Sequence, residues 1–145
     1  MVHDTKDLYT LIRRMREVYA RGENAMAFAR AQVGVSDNLL AATLNAYDLQ
    51  AGTYSAAARA NPDLNVLWSA QLANLIRPFL PEGGTLIEVG CGEANTLAGV
   101  MANLHGHVSK AFGFDLSWSR VAVGRDWLAE KRQNADLFVG DLFHI

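Results

Sequence analysis

The first part of the chain carries apolar residues at intervals of three and four, which is the spacing of an amphipathic helix. This pattern predicts a first helix that begins at Asp4 or Thr5 and ends at Gly22. A second helix is predicted over residues 24–33, closed by Gly34. The apolar side of the first helix consists of Leu8, Leu11, Ile12, Met15, Val18 and Tyr19.

Two further helices are predicted downstream. Ser36 is expected to cap the third helix, and Gly52 ends it. After a short link, Asn61 followed by Pro62 is a start signal for the fourth helix, which ends near Pro78. The fourth helix is expected to bury one apolar stripe, which consists of Leu64, Leu67, Trp68, Leu72, Leu75 and Ile76.

The spacing of apolar residues changes after the turn at residues 81–84. Short apolar runs now alternate with helical stretches, and such βαβ units form a parallel sheet with helices on its faces. The predicted fold class is therefore α/β, with an N-terminal helical region over residues 1–80 and a Rossmann-like sheet over residues 81–145. Strands are expected at residues 85–89, 111–114 and 136–139, and helices over residues 95–103 and after Ser117 or Ser119.

Composition and charge narrow the classes of partner and compartment. The net charge of -2 supplies no broad positive field, so neither nucleic acid nor an anionic membrane is expected as a partner. The single cysteine, Cys91, excludes an internal disulfide and fits a reducing compartment. The polar start and the lack of a long apolar run predict a cytoplasmic protein.

A glycine-rich turn follows the first predicted strand, with the sequence Glu88-Val-Gly90-Cys91-Gly92-Glu-Ala94. Glycines let the backbone turn sharply and approach a ligand closely. The helix that follows presents free backbone N–H groups to an anionic group. The turn is therefore a candidate cradle for a carboxylate or a phosphate.

Two acidic residues lie at the ends of the next two predicted strands. Asp115 ends the second strand, and Asp141 follows the third strand after a glycine. Ligands of open α/β sheets bind at the carboxyl edge, where a strand-end acid accepts hydrogen bonds from ribose hydroxyls. We therefore expect both aspartates to converge on the glycine turn.

These residues resemble the successive cofactor motifs of class I S-adenosylmethionine-dependent methyltransferases. The resemblance implies that residues 81–145 are the cofactor-binding half of such an enzyme, comprising the first three strands of its fold. Residues 1–80 would then be a cap or lid, and Tyr47 to Tyr54 is similar to a tyrosine-bearing segment of small-molecule members. The implied cofactor is S-adenosylmethionine, and the implied partner is a small-molecule methyl acceptor. No catalytic residue and no metal ligand are identified.

The resemblance also implies roles for individual residues. Gly90 and Gly92 would pass under the methionine portion of the cofactor, and Glu88 would orient this loop or the methionine amine. Asp115 would hold the ribose hydroxyls, and Asp141 would meet the adenine amino group. The implied cofactor-binding set is completed by Cys91, Leu116 and Leu142, of which Leu142 packs against the adenine or offers its backbone to it.

The sequence departs from the family pattern in two respects. Ala94 replaces the third glycine of the loop, which is tolerable with helical dihedral angles but excludes a left-handed conformation. The family's sheet has seven strands with the first at its centre, whereas this chain ends at Ile145, after the third. Leu86, Ile87 and Val89 would therefore lie on an unpaired edge, which favours self-association.

Alternatives to each functional interpretation stay open. The chain could be a truncated, inactive fragment that self-associates, or an NAD- or flavin-dependent oxidoreductase, although Asn95 stands where that fingerprint has a glycine. Glu88 could simply cap the loop or the next helix, and Asp115 could be only a cap for the helix after Ser117. Asp141 could be a plain turn residue, and Cys91 could be a small buried or loop residue. The tryptophans are expected to be core residues: Trp68, Trp118 and Trp127.

Overall fold

The computed structural model describes residues 5–34 and 40–142 of the protein. The chain divides into two compact units, Met1–Gln50 and Ala51–Ile145. This division falls earlier in the chain than the turn at residue 81. The assignment of residues 1–80 to a cap and of residues 81–145 to cofactor binding stays a prediction.

Within residues 5–34 and 40–50, the first unit contains three helices: α1 (Thr5–Ala20), α2 (Ala25–Val33) and α3 (Leu40–Leu49). Asn24 caps α2 by accepting a hydrogen bond from the backbone N–H of Ala27, and Gly34 ends this helix in the left-handed conformation. The predicted caps Asp4 and Ser36 lie outside the described residues. A small core holds the helices together and is formed by Leu11, Met15, Val18, Ala25, Ala29, Ala42 and Ala46.

The second unit begins with two helices. They are α4 (Thr53–Ala60) and α5 (Pro62–Ile76), which a 3-10 turn at Arg77–Phe79 extends. The start of α5 at Pro62 was predicted correctly. Helix α4 was missed, since residues 53–60 carry no apolar stripe and were assigned to a link. The backbone N–H groups at its start donate hydrogen bonds to the carboxylate of Glu93, which is distant in sequence and stabilises the helix.

Helix α5 packs through a different face from the predicted one. Its fully buried residues are Ser69 and Ala73, whereas Leu64, Trp68 and Leu75 are 66%, 59% and 68% exposed. Leu67 is exposed as well, and only Leu72 and Ile76 of the predicted stripe are partly buried. Small residues occupy the buried face of α5 because they allow the backbone of a neighbouring helix to approach closely. The predicted burial of Trp68 and Trp118 was therefore wrong, and that of Trp127 was confirmed.

In the part of the chain that the structure describes, the sheet has three parallel strands in the order β1-β2-β3. They are β1 (Gly84–Val89), β2 (Val108–Asp115) and β3 (Asp136–Val139), joined by α6 (Asn95–Asn103) and α7 (Trp118–Glu130). Each strand and helix of this half was predicted, although β2 begins at Val108, earlier than the predicted start at Ala111. This order of elements confirms the α/β fold class. The core between sheet and helices is formed by Cys91, Ala94, Leu97, Ala98, Val121, Trp127, Leu128 and Leu137.

Strand β1 forms one edge of the sheet within the described residues. Alternate side chains of this strand are exposed, and Ile87 and Val89 are 54% and 51% exposed. The register pairs Val89 with Phe114 on β2, and Asp115 at the end of β2 with Val139 on β3. The carboxyl ends of all three strands therefore meet at the same edge of the sheet.

Candidate functional site

The glycine turn joins β1 to α6 over residues 90–94. Gly90 and Gly92 have φ angles of 69° and 52°, in the left-handed region that glycine enters without a steric cost. The backbone N–H of Cys91 donates to the carbonyl of Phe114 at 2.9 Å, which ties the turn to β2. A Cβ atom at Gly90 would meet no other atom within 4 Å. The space beside Gly90 is therefore open.

Ala94 has a left-handed conformation, with a φ angle of 54° and a ψ angle of 22°. The prediction that alanine excludes this conformation was wrong. A left-handed non-glycine residue costs roughly 1–2 kcal/mol. The Ala94 methyl group is fully buried in the core of the sheet unit, and this burial offsets part of the cost.

Asp115 lies at the glycine turn, as predicted. Its Oδ2 atom accepts a hydrogen bond from the backbone N–H of Gly92 at 2.9 Å, and Oδ1 accepts one from Ser117, also at 2.9 Å. The Ser117 hydroxyl in turn accepts the N–H of Arg120 and so caps α7. Asp115 is 8% exposed, and its carboxylate fixes the turn and the start of α7 in one arrangement. Each of its oxygens has a further lone pair for a ligand hydroxyl.

Asp141 follows β3 at the same edge of the sheet. The preceding residue, Gly140, donates its backbone N–H to the carbonyl of Asp115 at 3.1 Å. Asp141 and Leu116 are half-buried, and Leu142 is exposed. The structure thus brings the three predicted segments side by side, while the roles of their residues toward a cofactor stay predictions.

Glu88 lies near the end of β1 and is half-buried. Burial raises the pKa of its carboxyl group to about 7, a backbone hydrogen bond from Leu97 opposes this rise, and the charge of Asp115 adds to it. Leu97 is in the first turn of α6. Its Oε2 atom is buried and has no hydrogen-bond partner among the described residues. Such an oxygen is an acceptor available to a ligand N–H group.

The raised pKa of Glu88 predicts a pH-dependent stability. The folded protein favours the protonated carboxyl of Glu88, because its pKa is higher in the folded state than in the unfolded chain. The contribution of this group to the free energy of unfolding is therefore complete below pH 4.5, the pKa in the unfolded chain, and is lost as the pH rises through about 7. Glu88→Gln should remove this dependence and raise stability at pH 8 by at most about 3 kcal/mol. Denaturant unfolding of both proteins at pH 5 and pH 8 measures it, with the exposed Glu82→Gln as control. An equal difference at both pH values would contradict the prediction.

Cys91 is buried, and its pKa is raised to about 12, first by burial and then by the charges of Glu88 and Asp115. Its thiol is therefore protonated at neutral pH and is not a nucleophile. A Cβ atom at Gly113 would lie 3.0 Å from its Sγ atom, which shows how closely the turn packs on β2. The interpretation of Cys91 as a small buried residue was confirmed.

Glu93 is the residue of the turn that sequence reasoning missed. Its side chain is 0% exposed and accepts hydrogen bonds from the backbone N–H groups of Gly52 at 2.9 Å and Ser55 at 2.7 Å. These groups belong to the start of α4, which has no side-chain cap of its own. Glu93 therefore caps α4 from the glycine turn. No local pattern predicts such a cap, because the two segments are far apart in sequence.

Arg120 reaches from α7 to the same place. Its Nε atom lies 4.0 Å from Glu93 Oε1, and its guanidinium carbon lies 4.6 Å from the centre of the Tyr54 ring. A Cβ atom at Gly92 would lie 3.2 Å from the same guanidinium carbon. Arg120 thus lies directly against the glycine turn, with Tyr54 on α4 beside it.

Comparison with known proteins gave structural similarities only. The sequence matches no protein-family model and no curated protein. The crystal structure of the [4+2]-cyclase SpnF matches 52% of this chain at 22% identity, with a TM-score of 0.44. A structure described by the conversion of a disulfide bond into a thioacetal group during echinomycin biosynthesis matches 47% at 26% identity, with a TM-score of 0.38.

A third similarity is to a structure of the complex between the Haloferax volcanii Trm112 methyltransferase activator and a protein assigned as a methyltransferase. It covers 66% of this chain at 20% identity, with a TM-score of 0.45. This chain spans 28%, 26% and 38% of the lengths of the three matched chains. Among the helices of residues 5–34 and 40–142, none is long and apolar enough to cross a membrane.

Proposed function

We propose that this chain is the cofactor-binding half of an S-adenosylmethionine-dependent methyltransferase that acts on a small molecule. The observation that carries the proposal is the hydrogen bond between Asp115 and the backbone of Gly92. It joins the acid of the second strand to the glycine turn of the first, and the Gly140–Asp141 segment lies beside it. This is the convergence that a nucleoside-bearing ligand requires at the carboxyl edge of an α/β sheet.

The residues present fit the cofactor. The buried, unpartnered Oε2 atom of Glu88 would accept a hydrogen bond from the methionine ammonium group. The open space beside Gly90 would admit the methionine portion of the cofactor. Asp115 would accept hydrogen bonds from the ribose hydroxyls. Asp141 would accept a hydrogen bond from the adenine amino group, and Leu116 and Leu142 would pack near the adenine ring.

S-adenosylmethionine, when bound, supplies an electrophilic methyl group on a sulfonium. Transfer needs in-line approach of the acceptor atom, so positioning and exclusion of water carry much of the rate acceleration. In this chain Asp115 and Glu93 hold the glycine turn and α4 in fixed positions. No residue is assigned as a general base. We also propose a cytoplasmic location, because a single cysteine fits a reducing compartment.

The proposal predicts measurable binding of S-adenosylhomocysteine. Asp115→Asn should weaken it by about 10- to 100-fold, because one carboxylate acceptor of the ribose is lost. Calorimetric titration of both proteins measures this, and Asp126→Asn on the exposed side of α7 is the matched control. Equal affinity of wild type and Asp115→Asn would contradict the assigned role.

Two competing functions predict other outcomes of the same titration. Binding of NADH in place of S-adenosylhomocysteine would favour the oxidoreductase. The exposed β1 edge, with Ile87 and Val89, favours a chain that self-associates without catalysis. Sedimentation would then show an oligomer that Ile87→Lys converts to a monomer, with no S-adenosylhomocysteine bound. A monomer that binds S-adenosylhomocysteine would exclude this interpretation.

A further inference from the structure

A cleft of about 370 Å³ opens between α4, α5 and the first turn of α6. Its walls include Leu64 and Trp68, which the sequence predicted for the buried stripe of α5. Tyr54, Leu64 and Trp68 all line it, and they are 55%, 66% and 59% exposed. Exposed apolar side chains that surround one cleft are typical of a ligand-binding site.

The polar groups of the cleft are uncharged. The described residues that line it include no aspartate, glutamate, lysine or arginine, and the polar ones are Asn61, Asn65, Asn95 and Thr96, besides the Tyr54 hydroxyl. A charged ligand would lose its hydration there without gaining an opposite charge. Carboxamides and hydroxyls instead match neutral donors and acceptors such as a hydroxyl or a carbonyl. The cleft therefore favours a neutral ligand.

The cleft lies beside the glycine turn. Tyr54 lines the cleft, and its ring also contacts the Arg120 guanidinium that lies against Gly92. Asn95 and Thr96, which line the cleft as well, follow the turn directly at the start of α6. The Glu93 carboxylate fixes α4 to the turn through the backbone of Ser55. A molecule in the cleft would thus lie next to the proposed cofactor position.

We propose that this cleft holds the methyl acceptor, and that the acceptor is a small, uncharged molecule with a flat, largely apolar ring and a neutral hydrogen-bonding group. This proposal rests on the proposed methyltransferase function. Trp68 and Leu64 would contact the ring, and the asparagine side chains would bind its polar group. Aromatic faces bind flat rings with a modest gain beyond that of apolar burial.

The test uses 2-naphthol as a neutral flat probe and 2-naphthoate as its charged counterpart. Calorimetry should show that 2-naphthol binds the full chain, and that 2-naphthoate binds at least about tenfold more weakly. Trp68→Ala should weaken 2-naphthol binding at least about tenfold. Trp118→Ala is the matched control, since Trp118 is 66% exposed on α7 and does not line the cleft. Ala57→Phe, which fills the cleft from an exposed position, should abolish binding.

Titration of the same variants with S-adenosylhomocysteine separates this proposal from the function on which it rests. We expect Trp68→Ala and Ala57→Phe to bind S-adenosylhomocysteine as wild type does. If 2-naphthol does not bind, or binds Trp68→Ala equally well, the cleft proposal is overturned while the methyltransferase proposal stands. If 2-naphthol binds and S-adenosylhomocysteine does not, the methyltransferase function fails, and with it the assignment of the cleft to a methyl acceptor.

Discussion

Replacing Glu93 by alanine is expected to lower the free energy of unfolding by about 3–5 kcal/mol, the usual cost of breaking a buried ion pair. The Glu93 side chain is fully buried and accepts two short hydrogen bonds from Gly52 and Ser55. Without this carboxylate, the backbone N–H groups of Gly52 and Ser55 are buried without an acceptor. Arg120 also loses an ion-pair partner. Helix α4 should lose its start, so helical content measured by circular dichroism should fall as well.

Two variants control this experiment. Glu93→Gln keeps one acceptor oxygen and loses the charge, so its effect should lie between those of wild type and Glu93→Ala. Glu130 also pairs with an arginine, at 2.6 Å from Arg59, but both side chains are about half exposed. Glu130→Ala should therefore have a much smaller effect on the free energy of unfolding, because solvent screens an exposed ion pair. Equal effects at the two glutamates in denaturant unfolding would show that Glu93 does not hold α4.

The second large effect is expected at the contact between α5 and α6. A Cβ atom at Gly99 would lie 2.6 Å from the Cβ atom of Ser69, which is closer than real Cβ atoms approach. Gly99→Ala should therefore force the helices apart and cost about 1–3 kcal/mol, even though alanine favours a helix by about 1 kcal/mol over glycine. Denaturant unfolding measures the change.

A double variant tests whether this contact is the cause. Ser69→Gly removes the side chain that Gly99→Ala would meet, so the combined variant should be more stable than the sum of the two single effects. The coupling should be at least about 0.5 kcal/mol, the lower bound for residues in contact. Additive effects would show that the clash is absorbed elsewhere.

The sequence predicted the order of strands and helices in the second half and the place of the glycine turn. It also predicted that Asp115 would reach this turn, which its hydrogen bond to Gly92 confirms. These features are local or topological. Glycines after a strand mark a tight turn, and parallel βαβ units bring the ends of successive strands to one edge.

The sequence did not predict which face of α5 is buried. Apolar spacing favoured Leu64, Trp68 and Leu75, but the core side of this helix is formed by Ser69 and Ala73. The buried face of α5 is the one that lets its backbone approach α6 most closely, because small residues on this face pack against Gly99 of α6. The apolar residues left outside line the cleft instead.

Sequence alone thus determined the α/β fold of residues 81–142 and the contact of Asp115 with the glycine turn, because these follow from strand order. Only the tertiary structure decided that Glu93 caps α4, that Ala94 is left-handed and that a neutral cleft lies beside the turn. Each of these depends on contacts between segments far apart in the chain, where packing and buried hydrogen bonds outweigh local preference.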